Sequence, residues 1–409
     1  MALSITAGSS VDEARAAVRS WIADNVPHAW REAAAAGVPM RDVRPFADYE
    51  AWYPTFAASG LVVPTWPVAY GGLDLPTKTA RALEDELAPY GLGRLNPLGL
   101  NLGAPALFAH GTEEQRLRFL PRIVDNSEPW CQLFSEPGSG SDLASLATRA
   151  ERDGDEWIIS GQKVWTTWAH RSTFGVCLAR TDPDVPKRKG ITYFIVDLRS
   201  PGVEVRPLRH ITGEVDFNEV FLTEVRVPDA HRVGEVGDGW RVANATLSGE
   251  RQMVSGSGSG GVDRIGGSGA DALIRSAQER GVWDDPRWRD RIVALWSEER
   301  IRGWTNARIR AGLKAGRSPG PESSIGKVHQ GDLNQRIQMA AADLLGAGAI
   351  AWDGEGLPPA VRGMLRSRAN TIEGGTSDVM RNILGERVLG LPGDLRADAG
   401  MPWKEIPRG

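Results

Sequence analysis

Ser135-Glu136-Pro137-Gly138-Ser139-Gly140-Ser141-Asp142 follows the apolar run Trp130-Cys131-Gln132-Leu133-Phe134, and Trp165-Thr166-Thr167 comes soon after. A glycine-rich turn after an apolar strand lets backbone N–H groups and small hydroxyls approach a ligand without side-chain obstruction. Ser135 and Thr167 add hydroxyl donors, and Trp165 adds a flat face. Each also has a plain structural explanation: a tight turn, a satisfied strand hydroxyl, a packed indole. The weight falls on their occurrence together.

A second group is acidic. Trp240, Ala243, Leu247, Glu250 and Val254 recur at spacings of three and four, which places Glu250 on the apolar stripe of a helix. A carboxylate there should be buried and raised in pKa. The plain alternative is an interfacial glutamate paired with an arginine, or a solvated helix end. Glu373 lies in the loop sequence Thr371-Ile372-Glu373-Gly374-Gly375-Thr376.

Three runs of different grammar must position these groups, and the fold class expected is α+β. Residues 1–127 read as a helical domain: Ala14, Val18, Trp21, Ile22 and Val26 keep helical spacing, and 77–87 and 112–123 repeat it. Thr112 with Gln115 forms a capping-box pattern. Residues 128–237 change to short β-branched and aromatic runs at 157–159, 164–165, 174–178, 191–196 and 217–222, separated by turn clusters. An antiparallel sheet or small barrel follows. Helical patterning returns over 238–409, with long candidates at 289–314 and 323–345 that predict a bundle. Gly256, Gly258 and Gly261 match a dinucleotide fingerprint formally, but they follow a helix rather than a strand, so the stretch reads as an irregular loop.

Composition narrows the classes further. Lys plus Arg is 48 and Asp plus Glu is 52, a formal charge of -4, against a nucleic-acid binder. The two cysteines, Cys131 and Cys177, sit in apolar runs and predict buried, unreactive thiols in a reducing compartment. No apolar run approaches the ~20 residues of a membrane span, and a cytoplasmic location is expected. Most of the fifteen tryptophans should be core and interface packing.

Together the motifs resemble the flavin-binding signature of the acyl-CoA dehydrogenase family. Pro64-Thr65-Trp66-Pro67 with Tyr70-Gly71-Gly72 and Gly111-Thr112 with Gln115-Arg116 and Leu120-Pro121 are similar to that family's helical segments. Gly161-Gln162-Lys163-Val164-Trp165 and Phe217-Asn218-Glu219-Val220 resemble its strands, and Gly374-Gly375-Thr376-Ser377 with Arg381-Asn382-Ile383 its C-terminal motif. The resemblance implies a C-terminal four-helix bundle and an FAD between that bundle and the β domain. Leu133, Ser135 and Gly140 would lie at the flavin, Trp165 and Thr167 at its N5 edge, and Thr376 at its phosphates. Ser141 and Arg251 would face the acyl-CoA.

The reaction implied is α,β-dehydrogenation of an acyl-CoA to the trans-2-enoyl-CoA, with the α-proton going to a carboxylate and the β-hydride to flavin N5. Electrons would pass to an electron-transferring flavoprotein. Many family members keep the base immediately before a single Gly-Thr; here Gly374 occupies that position and Glu373 falls one residue early. A branch that includes isovaleryl-type enzymes carries its base just before an arginine on the helix after the β domain, which matches Glu250-Arg251. Glu250 is therefore the expected base and Glu373 its alternative.

Two family elements are missing. An Arg-x-x-Phe-Gly motif is absent near residue 285, and Gln338-Met339-Ala340-Ala341-Ala342 replaces a Gln-x-x-Gly-Gly element. Either Arg280 or Arg287 substitutes in a homodimer or tetramer, or a homologous subunit in an α2β2 pair supplies the adenine half. An acyl-CoA oxidase or flavin monooxygenase on the same fold, and a partner subunit that completes another chain's FAD site, are the competing readings.

Overall fold

The computed structural model describes residues 3, 5–254, 269–314, 320–352, 354, 356–395 and 398–407, with the side chains of 248–254 and 313–314 outside the description. The glycine-rich stretch through Gly256, Gly258 and Gly261 lies outside the described residues.

Among the described residues seven α-helices come first: α1 (Val11–Asn25), α2 (His28–Ala35), α3 (Met40–Val43), α4 (Phe46–Ala58), α5 (Thr77–Leu87), α6 (Ala104–His110) and α7 (Glu113–Val124). Ser10 and Thr112 close capping boxes on α1 and α7, the second as its sequence predicts. The Gln115 amide reaches further, donating to the carbonyls of Ala230 and Arg232 at 2.8 Å each, so the start of α7 is tied to the β domain. The tryptophans behave largely as expected: Trp21, Trp30 and Trp52 pack with Tyr49 and Phe56 in one aromatic cluster.

The β domain comprises β1 (Trp130–Leu133), β2 (Arg149–Asp153), β3 (Glu156–Thr167), β4 (Phe174–Arg180), β5 (Ile191–Asp197), β6 (Val203–Leu208), β7 (Phe217–Pro228) and β8 (Arg232–Val233). They form one sheet in the order β6-β7-β3-β2-β4-β5-β8, with β1 joined to β4. Its long pairings, β3 with β7 and β4 with β5, are antiparallel, while β1 and β2 meet β4 in parallel. The runs expected at 157–159 and 164–165 are one strand, β3. Cys131 and Cys177 lie in the sheet core, where burial pushes their thiols up to about 12 and about 11.

The last third is helical: α8 (Gly239–Val254), α9 (Ala270–Glu279), α10 (Pro286–Lys314), α11 (Ser323–Leu344), α12 (Pro359–Ser367) and α13 (Ser377–Arg387). Leu273, Ile292, Leu295, Leu333 and Ile337 build a core among α9, α10 and α11. Helix α8 is different, because its Val242 and Ala243 join the core shared by the N-terminal helices and the sheet. Thr246, fully buried, fixes its position: the hydroxyl meets Tyr193 Oη on β5 at 3.0 Å and donates to Leu102 O at 3.1 Å. Among the described residues no helix is long and apolar enough to cross a membrane.

Candidate functional site

Strand β1 delivers Ser135 beside β3, where the Ser135 carbonyl accepts from Val164 N at 2.9 Å. The chain then folds back in a tight turn closed by reciprocal Glu136–Ser139 backbone bonds of 2.9 and 3.0 Å. Beneath it sits a buried ion pair outside the expected site residues. Lys163, 0% exposed at its side chain, donates to Glu136 Oε1 at 2.8 Å, to Leu178 O at 2.8 Å and to Phe134 O at 3.1 Å. Glu136 also accepts from the backbone N–H groups of Ala147 (2.6 Å) and Thr148 (2.9 Å). Burial alone would push its carboxyl up; the Lys163 ammonium and these donors outweigh that and hold it below the ordinary range. The pair clamps both ends of the 137–146 loop to β3. Period two along Trp157, Ile159, Gly161 and Lys163 was the available signal, because it turns Lys163 to the same inward face as Trp157 and Ile159.

Above that base the loop is open. Ser139 Oγ donates to Asp142 O at 2.7 Å, while Gly140 and Ser141 are exposed. Strand β3 bulges between Lys163 and Thr166, and Trp165 sits in the bulge with φ 59°. A bulge re-aims a side chain that regular pleating would bury or pair. The Trp165 indole stands 56% exposed with one edge against Phe217, ring centroids 5.7 Å apart. Thr167 is half-buried opposite Phe217, and Thr166 is buried with a hydroxyl that meets no partner among the described residues. Leu133 is wholly buried in the sheet core, so only its main chain is left for a ligand.

Helix α8 reaches this locus through Thr246 and Tyr193, because Tyr193 stacks edge-on against Phe134 with centroids 6.1 Å apart. Glu250 follows Thr246 by one helical turn; its side chain and that of Arg251 lie outside the described residues. Glu373 is committed elsewhere. Arg366 donates to both its oxygens, at 3.2 and 2.8 Å, and Asn370 Nδ2 donates to Oε1 at 2.8 Å. Asn370 in turn accepts from Asn334 Nδ2 (2.6 Å) and Lys327 Nζ, both on α11, which seats the 370–373 turn on that helix.

Gly374 and Gly375 then reverse the chain with φ 63° and 91°, conformations that favour glycine, and deliver Thr376 as the N-cap of α13. Its hydroxyl accepts from Val379 N at 3.2 Å. The next residue, Ser377, is buried with a hydroxyl unpartnered among the described residues. Thr376 thus belongs to a second locus on the bundle, joined to the β domain by Arg362 on α12, which donates to Glu214 at 2.7 and 2.9 Å. His210, Glu214 and Asp216 bring possible metal-ligand atoms within 4.8 Å of one another, but both Glu214 oxygens are already engaged by Arg362. Arg287 pairs with Asp285, and Gln338 is buried on α11, donating to Asn334.

Family models match nearly the whole described chain in three consecutive parts: the acyl-CoA dehydrogenase N-terminal domain over residues 10–127, the middle domain over 131–225 and the C-terminal domain over 237–389. A protein described as acyl-CoA dehydrogenase IpdE1 from Mycobacterium tuberculosis (strain ATCC 25618 / H37Rv) is 40% identical over 390 residues, covering 93% of this chain and 98% of that protein. Among solved structures, one described as the Tcur3481-Tcur3483 steroid ACAD aligns with TM-score 0.73 and 27% identity, over 96% of this chain and 100% of its own. The ChsE4-ChsE5 complex from Mycobacterium tuberculosis aligns with TM-score 0.69 and 27% identity, again over 96% and 100%.

Proposed function

This chain belongs to the acyl-CoA dehydrogenase family and is an oxidoreductase, and on that premise we propose that it binds FAD and dehydrogenates a bulky acyl-CoA between its α and β carbons with Glu250 as the base. The observation that carries the reading is the exposed, bulge-held Trp165, next to Val164, whose N–H the Ser135 carbonyl accepts where the chain enters the open Gly140-Ser141 loop.

The residues present fit a flat, phosphate-bearing cofactor. A Cβ at Gly138 or Gly140 would meet nothing within 4 Å, and neither has a positive φ, so the fold itself does not require glycine there. A ligand approaching the backbone closely would. Trp165 offers its face and Thr167 its hydroxyl to the ring, with Ser135, Gly140 and the main chain of Leu133 along it. The first turn of α13 after Thr376 suits a phosphate, with the unspent Ser377 hydroxyl beside it. When bound, the flavin supplies the redox chemistry, accepting two electrons and the β-hydrogen. Glu250 takes the α-proton, a role that calls for a setting poor in water, and Arg251 and Ser141 contact the thioester portion.

Electrons then pass to an electron-transferring flavoprotein. The two aligned structures are named for pairs of chains, and this chain lacks two adenine-side motifs. We therefore place it in a heteromeric assembly whose second, homologous chain completes the FAD site. The purified assembly mixed anaerobically with butyryl-CoA, isovaleryl-CoA and cyclohexane-1-carbonyl-CoA should lose its visible flavin absorbance fastest with the ring-bearing substrate. No bleaching with any acyl-CoA would overturn the reading, and stoichiometric oxygen consumption would turn it to an oxidase. Full, tight FAD occupancy of this chain purified alone would remove the second chain.

Glu373, held by Arg366 and Asn370, is not the base. Glu373→Gln should keep kcat within about 3-fold of the natural enzyme, where loss of a general base costs about 10²–10⁴-fold. Steady-state rates of the two enzymes at matched FAD content check this.

A further inference from the structure

The last described residues, 398–407, turn back from the bundle onto the β domain. Trp403 N donates to Val185 O at 2.9 Å and Lys404 N to Pro183 O at 3.0 Å, so the tail is laid along the β4–β5 turn, where Pro402 pairs with Pro186. Its indole then reaches the substrate loop directly, Nε1 donating to Ser145 O at 3.2 Å.

Arg180, at the end of β4 and 4% exposed, lies between tail and loop. Its guanidinium carbon stands 4.2 Å from the centroid of Trp403. Its edge donates to Ala144 O at 2.7 Å and Leu146 O at 3.1 Å, and its third nitrogen to Lys187 O at 3.0 Å. Three consecutive carbonyls, 144 to 146, are therefore satisfied by Trp403 and Arg180 together. Buried carbonyls without such donors would be costly, so the loop is held in the conformation that meets them. A second tie runs alongside: Lys187 Nζ bridges Asp142 Oδ2 at 2.8 Å and Asp398 Oδ2 of the tail at 2.5 Å. Asp142 is the residue after Ser141.

We propose that Trp403, acting through Arg180, is a positioning residue for the acyl-CoA: the tail sets the 139–146 loop so that Ser141 meets the thioester and pantetheine portion of the substrate. This rests on the reading of Ser141 given above. The guanidinium is sandwiched, its face on the indole and its edge on the loop, a geometry that fixes orientation as well as charge. Glu136 and Lys163 hold the same loop from the sheet side, so the tail supplies the opposing half of the clamp.

The test uses the complete FAD-loaded assembly and the acyl-CoA that bleaches it fastest. Trp403→Ala should raise KM and the calorimetric dissociation constant of the product enoyl-CoA about 10-fold, as loss of a cation–π contact and a hydrogen bond predicts, with kcat within about 2-fold. FAD content should not change. Trp403→Phe keeps a ring over Arg180 and should recover most of the affinity. Asp398→Asn, which removes the tail's charge from the Lys187 bridge, should raise KM in the same direction by a smaller factor; it decides the matter should Trp403→Ala fail to fold. Unchanged KM and enoyl-CoA affinity in these variants would overturn the positioning role, and so would a fall in kcat or FAD content at constant KM. Failure of the natural enzyme itself to bind any acyl-CoA would instead sink the proposed function.

Discussion

Glu250→Gln is expected to leave FAD bound and to lower kcat by about 10²–10⁴-fold, the contribution typical of a positioned general base. The α-proton of a thioester is weakly acidic, so the base must be poised in a dry setting where its charged form is not over-stabilised by water. The frame for such a setting lies one turn earlier on α8. Thr246 is bonded to both Tyr193 and the Leu102 carbonyl, and Val242 and Ala243 are buried in the core that joins helices to sheet. Position 250 continues the face that holds Ala243 and Thr246, by steps of seven and four. Gln preserves shape and removes only the proton-accepting oxygen. Glu250→Asp retains the carboxylate but draws it back by one methylene; a shift of about 1 Å can cost about 10²-fold, so this variant should fall between the two. Stopped-flow reduction under anaerobic conditions reads the chemical step directly. Near-natural bleaching by Glu250→Gln would remove the residue from the mechanism.

The elements that sequence read well are those whose signal is local and repeated. Helix α5 falls at 77–87 as expected, and α7 starts where Thr112 and Gln115 place it. Helix α10 begins three residues before its expected start, at Pro286, a residue suited to a first turn. Helices α2 and α4 escaped because their order comes from aromatic packing of Trp30, Tyr49, Trp52 and Phe56, which no short-range periodicity announces. Strand β6 escaped for a related reason: Val203-Glu204-Val205-Arg206 alternates, but its partner β7 decides that it is a strand. At the site, Ser135 to Asp142 and Trp165 to Thr167 were legible as a motif. The bulge that exposes Trp165 was not, since it arises from register with β7. The tail was invisible for the same reason, its partners lying more than two hundred residues away.

Lys163→Met should be the most destabilising single substitution around this loop, by about 3–5 kcal/mol, because it leaves Glu136 buried with its opposing charge gone. Both groups are almost fully out of water, and Lys163 is wholly so. The pH dependence carries a sign that identifies the mechanism. In the natural protein the Glu136 carboxyl is held below its ordinary value, so its contribution is fully present above the ordinary carboxylate pKa of about 4.3. It is lost as pH falls through the lowered folded value. In Lys163→Met the balance reverses: burial now dominates, the carboxyl rises above its ordinary value, and the variant gains stability as pH drops from neutral toward about 4.3. The gap between the two proteins in urea midpoint should therefore narrow from pH 7 to pH 5. Glu136→Gln combined with Lys163→Met should recover part of the loss, since neither charge is then stranded. A gap that stays constant across this window, or a double variant no more stable than Lys163→Met, would show that Lys163 acts there by packing alone. Because Glu136 also accepts from Ala147 and Thr148, the single variant should loosen the loop that presents Ser141, and its KM should rise with the loss of stability.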